Sequence, residues 1–434
     1  MNFSLVVCAV VGLCVFLSVI IKPYIHIKGV KLGTYWLFSV MGAIVLLISG
    51  SIPINFLLME LLSSSAINPI KILILFFSMT SLSVFLDEVG FFRYLANLAL
   101  RKNLKKQTGL FITLYIIVSA LTIFTSNDIV VLTFTPFICF FAKNAKINPL
   151  PYLFAEFVAS NTWSMLFIIG NPTNIYLASS AGIDFLTYAS KMVLPTCMAG
   201  AVSFVILFLL FRKELNKPIS ATAETIILEN KTALTIGVVY LGICTVLLAV
   251  SSYLSLEMYL ISAIFAGALF LSVFIINHIR KKSQKPLASS IKRLPYELIP
   301  FVLSMFVLVL SLKHSGTTKM LSDILSHGYS VYTIGAASFL TSNIINNIPM
   351  SVLFSSILSS FAGSQEYYQG VYAAIVGSNI GAFFTPVGAL AGIMWASILK
   401  RFGIDFSFKK FIFYGSIISI PTLFAALSGL AIVF

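Results

Sequence analysis

Apolar runs of about 17 to 25 residues recur along this chain, and a helix of that length crosses a bilayer core of about 30 Å. Hydrophobic residues make up 59% of the sequence and charged residues only 10%, far below the roughly 25% charged residues of soluble domains. The strands of a membrane barrel would instead alternate apolar and polar residues over short segments. We therefore predict an all-α polytopic membrane protein.

Hydropathy divides the chain into full spans and shorter paired segments. Full spans are predicted near residues 3–21, 33–51, 70–87, 150–174, 191–211, 232–251, 257–277, 297–312, 370–399 and 411–432. Two further apolar pairs, 108–142 and 330–361, consist of shorter segments joined by a polar tip. Short helices that meet at a polar tip are typical of a re-entrant hairpin. The first run lacks the features of a cleaved signal peptide, so we expect a retained span.

The basic residues support this arrangement. If both hairpins are re-entrant and the N-terminus lies outside, 24 of the 28 Lys and Arg residues fall in the predicted cytoplasmic loops, as the positive-inside rule requires. If one hairpin were counted as two crossings, the rest of the chain would have the opposite orientation in the membrane. The excess of Lys and Arg in the cytoplasmic loops would then be lost. The net charge of +14 is therefore explained by topology in a bacterial or archaeal plasma membrane, and no nucleic-acid partner is expected.

Short motifs recur in the two halves of the chain. Residues 125–127 (TSN) match residues 341–343 (TSN), and the Ser-Asn pair at 160–161 matches the pair at 378–379. Each half would hold five spans and one hairpin, and because five is odd the halves would be inverted relative to each other. Many secondary transporters have this architecture, with broken helices at mid-membrane.

The repeat predicts the domain organisation. The first inverted repeat covers residues 1–211 with its hairpin at 108–142, and the second covers residues 232–434 with its hairpin at 330–361. Residues 212–231 form the predicted cytoplasmic linker between them.

Polar residues cluster at the two hairpin tips and at breaks in the spans that follow. Gly and Pro free backbone groups there, and unwound backbone at this depth is tolerated only inside protein or along a cavity. Alternatively, small polar residues of this kind only let helices pack closely. We predict substrate binding by Thr125, Ser126, Asn127, Asn171, Thr173, Asn174, Ser342, Asn343, Asn346, Asn347, Ser378, Asn379 and Thr385.

Two carboxyl groups lie within the apolar segments. Asp128 ends the first tip, and Glu156 precedes the first helix break. An ionised side chain at the bilayer centre costs about 2.5–3.5 kcal/mol, so each needs a partner, water or a proton. We predict that both serve proton or ion coupling, Asp128 above all, because the second tip carries no carboxylate. Asp87 and Glu88 lie at a helix end. A role as hydrated side chains at that end and a role in gating fit them equally well.

Catalytic and metal-binding patterns are absent from the sequence. It contains no HExxH, GxSxG or Walker motif, and none of its five cysteines forms a CxxC pair. We therefore expect no enzyme, no cofactor, no metal and no disulfide.

Several motifs, in this order, resemble the ion transporter superfamily, and within it the ArsB-type arsenite efflux permeases. The resemblance covers roughly residues 70–434. Its most specific pieces are residues 86–92 (LDEVGFF), Asn127-Asp128 with Thr135-Pro136, residues 346–349 (NNIP), and residues 385–390 (TPVGAL) with Trp395.

The resemblance implies proton-driven export of arsenite or antimonite, in some relatives with an ATPase subunit, and it makes a homodimer plausible. Arsenite is a small, mostly neutral triol near pH 7, so hydroxyls and amides suffice to hold it. Related branches carry sodium, dicarboxylates, citrate or sulfate. The alternative is therefore a sodium/proton antiporter, as in the NhaD-type relatives, or a sodium-coupled anion transporter on the same scaffold.

Overall fold

A computed structural model describes residues 2–21, 24–27, 30–62, 68–95, 106–219, 230–251, 254, 256–326, 328–404 and 406–434. Most of these residues are helical. Half of the predicted loop at 88–107 and the middle of the predicted linker, residues 220–229, lie outside the described ranges.

The helices of the first half begin at the N-terminus and continue through the start of the predicted linker. They are α1 (Phe3–Ile21), α2 (Tyr35–Ile48), α3 (Ile54–Leu62), α4 (Pro69–Glu88), α5 (Gln107–Phe124), α6 (Asn127–Ala145), α7 (Leu150–Trp163), α8 (Pro172–Ser180) and α9 (Phe185–Leu215). Between α1 and α2, strands β1 (Tyr24–Ile27) and β2 (Val30–Gly33) pair antiparallel, with Tyr24 opposite Gly33. Hydropathy did not predict this small hairpin, because its strands are only four residues long.

The second half follows the same general order. Its helices are α10 (Lys231–Ala249), α11 (Met258–Ile279), α12 (Lys285–Lys292), α13 (Leu298–His314), α14 (Thr317–Ser326), α15 (Val331–Ile345), α16 (Asn347–Leu358), α17 (Gln365–Gly381), α18 (Leu390–Arg401) and α19 (Phe408–Val433).

The helices confirm an integral membrane protein. Within the described ranges, seven helices are long and apolar enough to cross a membrane, namely α4, α5, α6, α9, α10, α11 and α19. Helices α13 and α14 pass the same test together, although they bend by 76° at the break between them.

One expectation about the first hairpin is wrong. Its arms α5 and α6 have 18 and 19 residues, so neither is too short to cross the membrane. Hydropathy missed their ends because a helix continues through polar residues such as Gln107 and Lys143 as long as its backbone hydrogen bonds continue. The arms of the second hairpin, with 15 and 12 residues, are short as expected. Re-entrance of the first hairpin stays a prediction.

Two of the predicted spans are broken as expected. The first ends as a helix at Trp163, passes through a 3-10 turn at Ile168–Gly170, and resumes at Pro172. Proline suits the first position of a helix because its missing N–H would have no partner there. The second span ends at Gly381 and resumes at Leu390.

Contacts between the two halves come in matched pairs. Helix α4 packs on α11 and α13 packs on α2, while α6 packs on α18 and α16 packs on α8. The long helices α9 and α19 also pack on each other. This pattern is compatible with inverted repeats at 1–211 and 232–434, a division that we keep as a proposal. Helix α9 also continues into the predicted linker as far as Leu215. The Thr108 hydroxyl donates a hydrogen bond to the Leu215 carbonyl oxygen at 2.9 Å.

Small residues bring α15 and α17 into close contact. A Cβ atom at Gly377 would overlap the Ser338 hydroxyl and the Gly335 carbonyl oxygen. Membrane helices use such small residues because van der Waals packing rather than the hydrophobic effect holds them together. This packing positions the second hairpin against the broken helix α17–α18.

We expect Gly377→Ala to destabilise the protein by about 1–3 kcal/mol, because overpacking a tight contact forces backbone shifts. Thermal unfolding of the purified protein in detergent measures the effect. Gly267→Ala in α11 is the matched control, since a Cβ there meets no atom within 4 Å. Equal melting temperatures for the two variants would contradict the close contact.

Ion pairs join the two halves at both ends of the helices. Arg293, just before α13, lies 2.7 Å from Asp87 and 2.5 Å from Glu88 at the end of α4. Burial alone would lower the pKa of Arg293, but the two carboxylates outweigh it and raise the pKa, so the guanidinium stays charged. Because Asp87 is buried and paired across the halves, a linking role fits better than a hydrated helix end.

At the opposite end, Lys71 lies 2.6 Å from Glu257, and Lys313 lies 3.3 Å from Glu60. These side chains are more exposed than Asp87. Exposed pairs contribute about 0–1 kcal/mol each.

Candidate functional site

The first tip is held against helix α7. Thr125, Ser126 and Asn127 are buried between the end of α5 and the start of α6. The Asn127 Nδ2 donates to Asn161 Oδ1 at 3.0 Å, and Asn161 Nδ2 donates to the Phe157 carbonyl oxygen at 2.8 Å. The two amides are therefore ordered by each other and by the helix backbone.

Asp128 lies in the first turn of α6 and is partly exposed. Within the described ranges, no hydrogen bond or ion pair is found for its carboxyl group. The positive end of the helix dipole favours a negative charge at this position. An acidic group without a fixed partner can exchange a proton or ion, as a coupling residue must.

Glu156 is buried in α7 and has a different environment. The Thr135 hydroxyl lies 3.3 Å from Oε1 and 3.2 Å from Oε2. Glu156 precedes Asn161 by five residues, a rise of about 7.5 Å along the helix. No described hydrogen bond links it to the other predicted site residues, so it is separate from the tip.

Asn379 of α17 joins the second half to the break between α7 and α8. Its Oδ1 accepts from Ser164 Oγ at 3.0 Å and from Asn171 Nδ2 at 2.9 Å. Its Nδ2 donates to Asn174 Oδ1 at 2.7 Å. Next to it, Ser378 Oγ donates to the Thr173 hydroxyl at 3.1 Å. The amides thus form one buried network across the two halves.

The second tip binds the other broken helix. Asn343 Oδ1 accepts from the Thr385 hydroxyl at 2.6 Å and from the Thr385 backbone N–H at 3.1 Å. Its Nδ2 donates to the carbonyl oxygens of Phe339 and Gly381 at 2.8 and 3.0 Å. Ser342 donates to the Phe339 carbonyl oxygen at 2.9 Å. The bonds to Gly381 and to the Thr385 N–H satisfy backbone groups that the break leaves without helical partners.

The turn between α15 and α16 is strained. Asn346 has φ 75° and ψ 156°, a backbone region used almost only by glycine and costing about 1–3 kcal/mol. The Asn346 Nδ2 donates to the Val387 carbonyl oxygen at 2.9 Å, and the Asn347 N–H donates to the Gly388 carbonyl oxygen at 3.1 Å. Contacts with the α17–α18 break therefore hold the strained turn in place.

Several buried polar atoms in this region have no hydrogen-bond partner. They are Ser126 Oγ, Asn127 Oδ1, Thr162 Oγ1 and Asn347 Oδ1. Leaving a buried polar atom unpaired costs about 1–3 kcal/mol. They lie at the first tip, in α7 beside the first break, and at the second tip, where each could bond to water or to a polar solute.

Most of the predicted site residues belong to one of two hydrogen-bonded networks. One network surrounds Asn379 and the other surrounds Asn343. Asn161, Thr162 and Ser164 belong to the same region but are not among the predicted binding residues. The polar run at 160–162 and the match between Asn161 and Asn379 were the signals in the sequence. Ser164 carries no comparable signal.

The networks consist of amides and hydroxyls. No described hydrogen bond places a Lys or Arg side chain on a residue of either network. Among the described residues, no three His, Cys, Asp or Glu side chains come together as a metal-binding group. The arrangement can bind a solute through polarised but uncharged groups, with Asp128 as the nearby carboxyl group of the first tip.

Comparison with known proteins places the chain among transporters. The model of the CitMHS family, described as "Citrate transporter", matches residues 25–375. An arsenical pump membrane protein of Escherichia coli (strain K12) is 29% identical over 373 residues, covering 82% of this chain and 85% of that protein. Another, from Escherichia coli, is 26% identical over 436 residues and covers 96% and 97%. The resemblance to arsenite efflux permeases is thereby confirmed.

Solved structures show the same fold. The YdaH transporter of Alcanivorax borkumensis matches with a TM-score of 0.59 at 12% identity, covering 99% of this chain and 97% of that one. The Neisseria gonorrhoeae MtrF structure, from a class of antimetabolite efflux pumps, matches with a TM-score of 0.53 at 13% identity, covering 100% and 95%.

Proposed function

The chain belongs to the CitMHS citrate transporter family, and within it we propose a secondary transporter that exports arsenite or antimonite in exchange for protons. Similarity to arsenical pump membrane proteins over most of the chain supports the substrate class. The observation that carries the proposal is the set of buried hydroxyl and amide atoms without partners at the two tips and the first break.

The chemistry of these atoms suits a neutral hydroxylated solute. The unpaired Asn127 Oδ1 and Asn347 Oδ1 can accept hydrogen bonds, and the Ser126 and Thr162 hydroxyls can donate or accept. Near pH 7 arsenite is mostly a neutral triol whose hydroxyls both donate and accept. Hydrogen bonds from such a solute to atoms of this kind bury no net charge, which would otherwise be costly inside the membrane.

Coupling is assigned to the two carboxyl groups. Asp128 is the stronger candidate, because it lies beside the tip, is partly exposed and has no described partner. Glu156, hydrogen-bonded to Thr135, is the second candidate. An outside N-terminus, a homodimer and an ATPase subunit stay predictions.

A sodium-linked carboxylate transporter, or a sodium/proton antiporter, is the alternative. The description of the family as citrate transporters favours a carboxylate substrate. Against it, the described networks offer no cationic side chain to citrate, whereas arginine and lysine are the usual partners of carboxylates.

Expression in cells that lack their own arsenite pump tests the proposal. We expect growth at arsenite concentrations that stop the control cells, because export lowers the internal concentration. Sodium-dependent citrate uptake into proteoliposomes, measured on the same protein, would support the alternative. Lack of arsenite tolerance despite normal membrane insertion, checked by immunoblot, would count against arsenite export.

A further inference from the structure

A small cavity lies outside the networks described above. It has a volume of about 50 Å³ and lies between α8, α13 and α16, with α3 at its edge. Its polar lining consists of Tyr176, Ser355, Ser356, Ser359, Glu60 and Lys313. We call it the α8–α16 pocket. It lies at the Lys313 end of α13, opposite the end at which Arg293 pairs with Asp87.

Helices α8 and α16 both begin at the candidate site. Helix α8 starts beside Asn171, and Tyr176 follows Thr173 by three residues, a rise of about 4.5 Å. Helix α16 starts at Asn347, and Ser356 follows nine residues later, a rise of about 13.5 Å. The pocket is therefore lined by the continuations of two helices that start at the candidate site.

The polar part of the lining offers hydroxyls rather than free charges, and the rest of the lining is apolar. Ser356 Oγ is buried and has no hydrogen-bond partner. Ser355 Oγ donates to the Val352 carbonyl oxygen at 2.8 Å, and Ser359 Oγ donates to the Ser356 carbonyl oxygen at 2.7 Å, so both oxygens can still accept. The charged residues of the lining, Glu60 and Lys313, pair with each other at 3.3 Å.

The pocket is also small. One water needs about 10–15 Å³ of such space, so the pocket holds roughly three to five water-sized groups. That matches one arsenic atom with its three hydroxyls, whereas citrate is several times larger and carries negative charge.

Building on the proposed function, we propose that the α8–α16 pocket is an antechamber. It binds the small neutral hydroxylated solute on its way between the central site and the Lys313 end, and it excludes bulky carboxylates. The hydroxyls supply the hydrogen bonds, and the Glu60–Lys313 pair neutralises the charge at its edge.

Thiol labelling tests the binding directly. Ser356→Cys is introduced into the full-length chain with its five native cysteines replaced by alanine, and the purified protein in detergent is treated with the small thiol reagent methyl methanethiosulfonate, with labelling followed by mass spectrometry. We expect labelling, slowed about tenfold by arsenite at ten times its dissociation constant and unaffected by citrate. Ser360→Cys, on the exposed neighbour outside the lining, is the control. It should label equally fast with and without arsenite.

No labelling of Ser356→Cys, no protection by arsenite, equal protection by citrate, or equal slowing at Ser360→Cys would each overturn the antechamber. The last result would mean that arsenite reacts with thiols directly.

Blocking the pocket tests its place on the path. We expect Ser356→Leu to lower arsenite export at least about tenfold, because the leucine side chain has two more heavy atoms than serine and the pocket is only a few water volumes in size. Ser360→Leu should leave export unchanged, with folding of both variants checked by size-exclusion chromatography. Wild-type export by Ser356→Leu would contradict the proposal. If the wild type itself exports no arsenite, the proposed function fails, and protection of Ser356→Cys alone decides whether the pocket binds the solute.

Discussion

Replacing Asp128 by asparagine is expected to reduce proton-driven arsenite export to the level of membranes that lack the protein. Asparagine keeps the size of the side chain but cannot release or take up a proton at this position. The carboxyl group has no described partner, so the substitution breaks no hydrogen bond or ion pair seen in the structure. Asp128→Glu keeps an ionisable group and should retain measurable export.

Arsenite uptake into everted vesicles under an imposed pH gradient measures this effect. Asp323→Asn is the matched control, because Asp323 lies on the exposed face of α14. We expect it to transport like the wild type. Full gradient-driven transport by Asp128→Asn would remove Asp128 from the coupling path and leave Glu156 as the remaining candidate.

Asn379→Ala is expected to abolish transport and to lower stability. The substitution removes three bonds across the two halves and leaves Ser164 Oγ, Asn171 Nδ2 and Asn174 Oδ1 without this partner. Ser164 Oγ keeps its bond to the Asn161 carbonyl oxygen at 2.9 Å, so two buried polar atoms are left unpaired. At about 1–3 kcal/mol for each of them, the total loss should be about 2 kcal/mol or more. Thermal unfolding of the purified protein and arsenite export in vesicles measure the two effects.

Two further variants distinguish the loss of this network from a general loss of stability. Ser378→Ala removes only the bond to Thr173, so it should cost about 1 kcal/mol. Asn144→Ala, on an exposed residue of α6, should be neutral. A melting temperature of Asn379→Ala as high as that of Asn144→Ala would show that the network does not hold the two halves together.

The fold class and the polar interruptions of the spans followed from the sequence. Lipid requires apolar runs and internally satisfied backbone, so long hydrophobic segments identify spans and polar interruptions identify breaks. The tip at Thr125 and the break at Pro172 were located in this way. The ends of α5 and α6 were not, because hydropathy measures the apolar part of a helix and not its full length.

The partners of the polar side chains were decided only by tertiary structure. The sequence pairs Asn379 with Asn161 as equivalents in a repeat, but Asn379 bonds across the halves while Asn161 bonds within its own half. Ser164 joins the site without any motif, and the α8–α16 pocket draws its lining from four helices far apart in the chain. Sequence patterns report local periodicity and composition. Which side chains meet depends on how helices pack and where they break, and those are properties of the assembled chain.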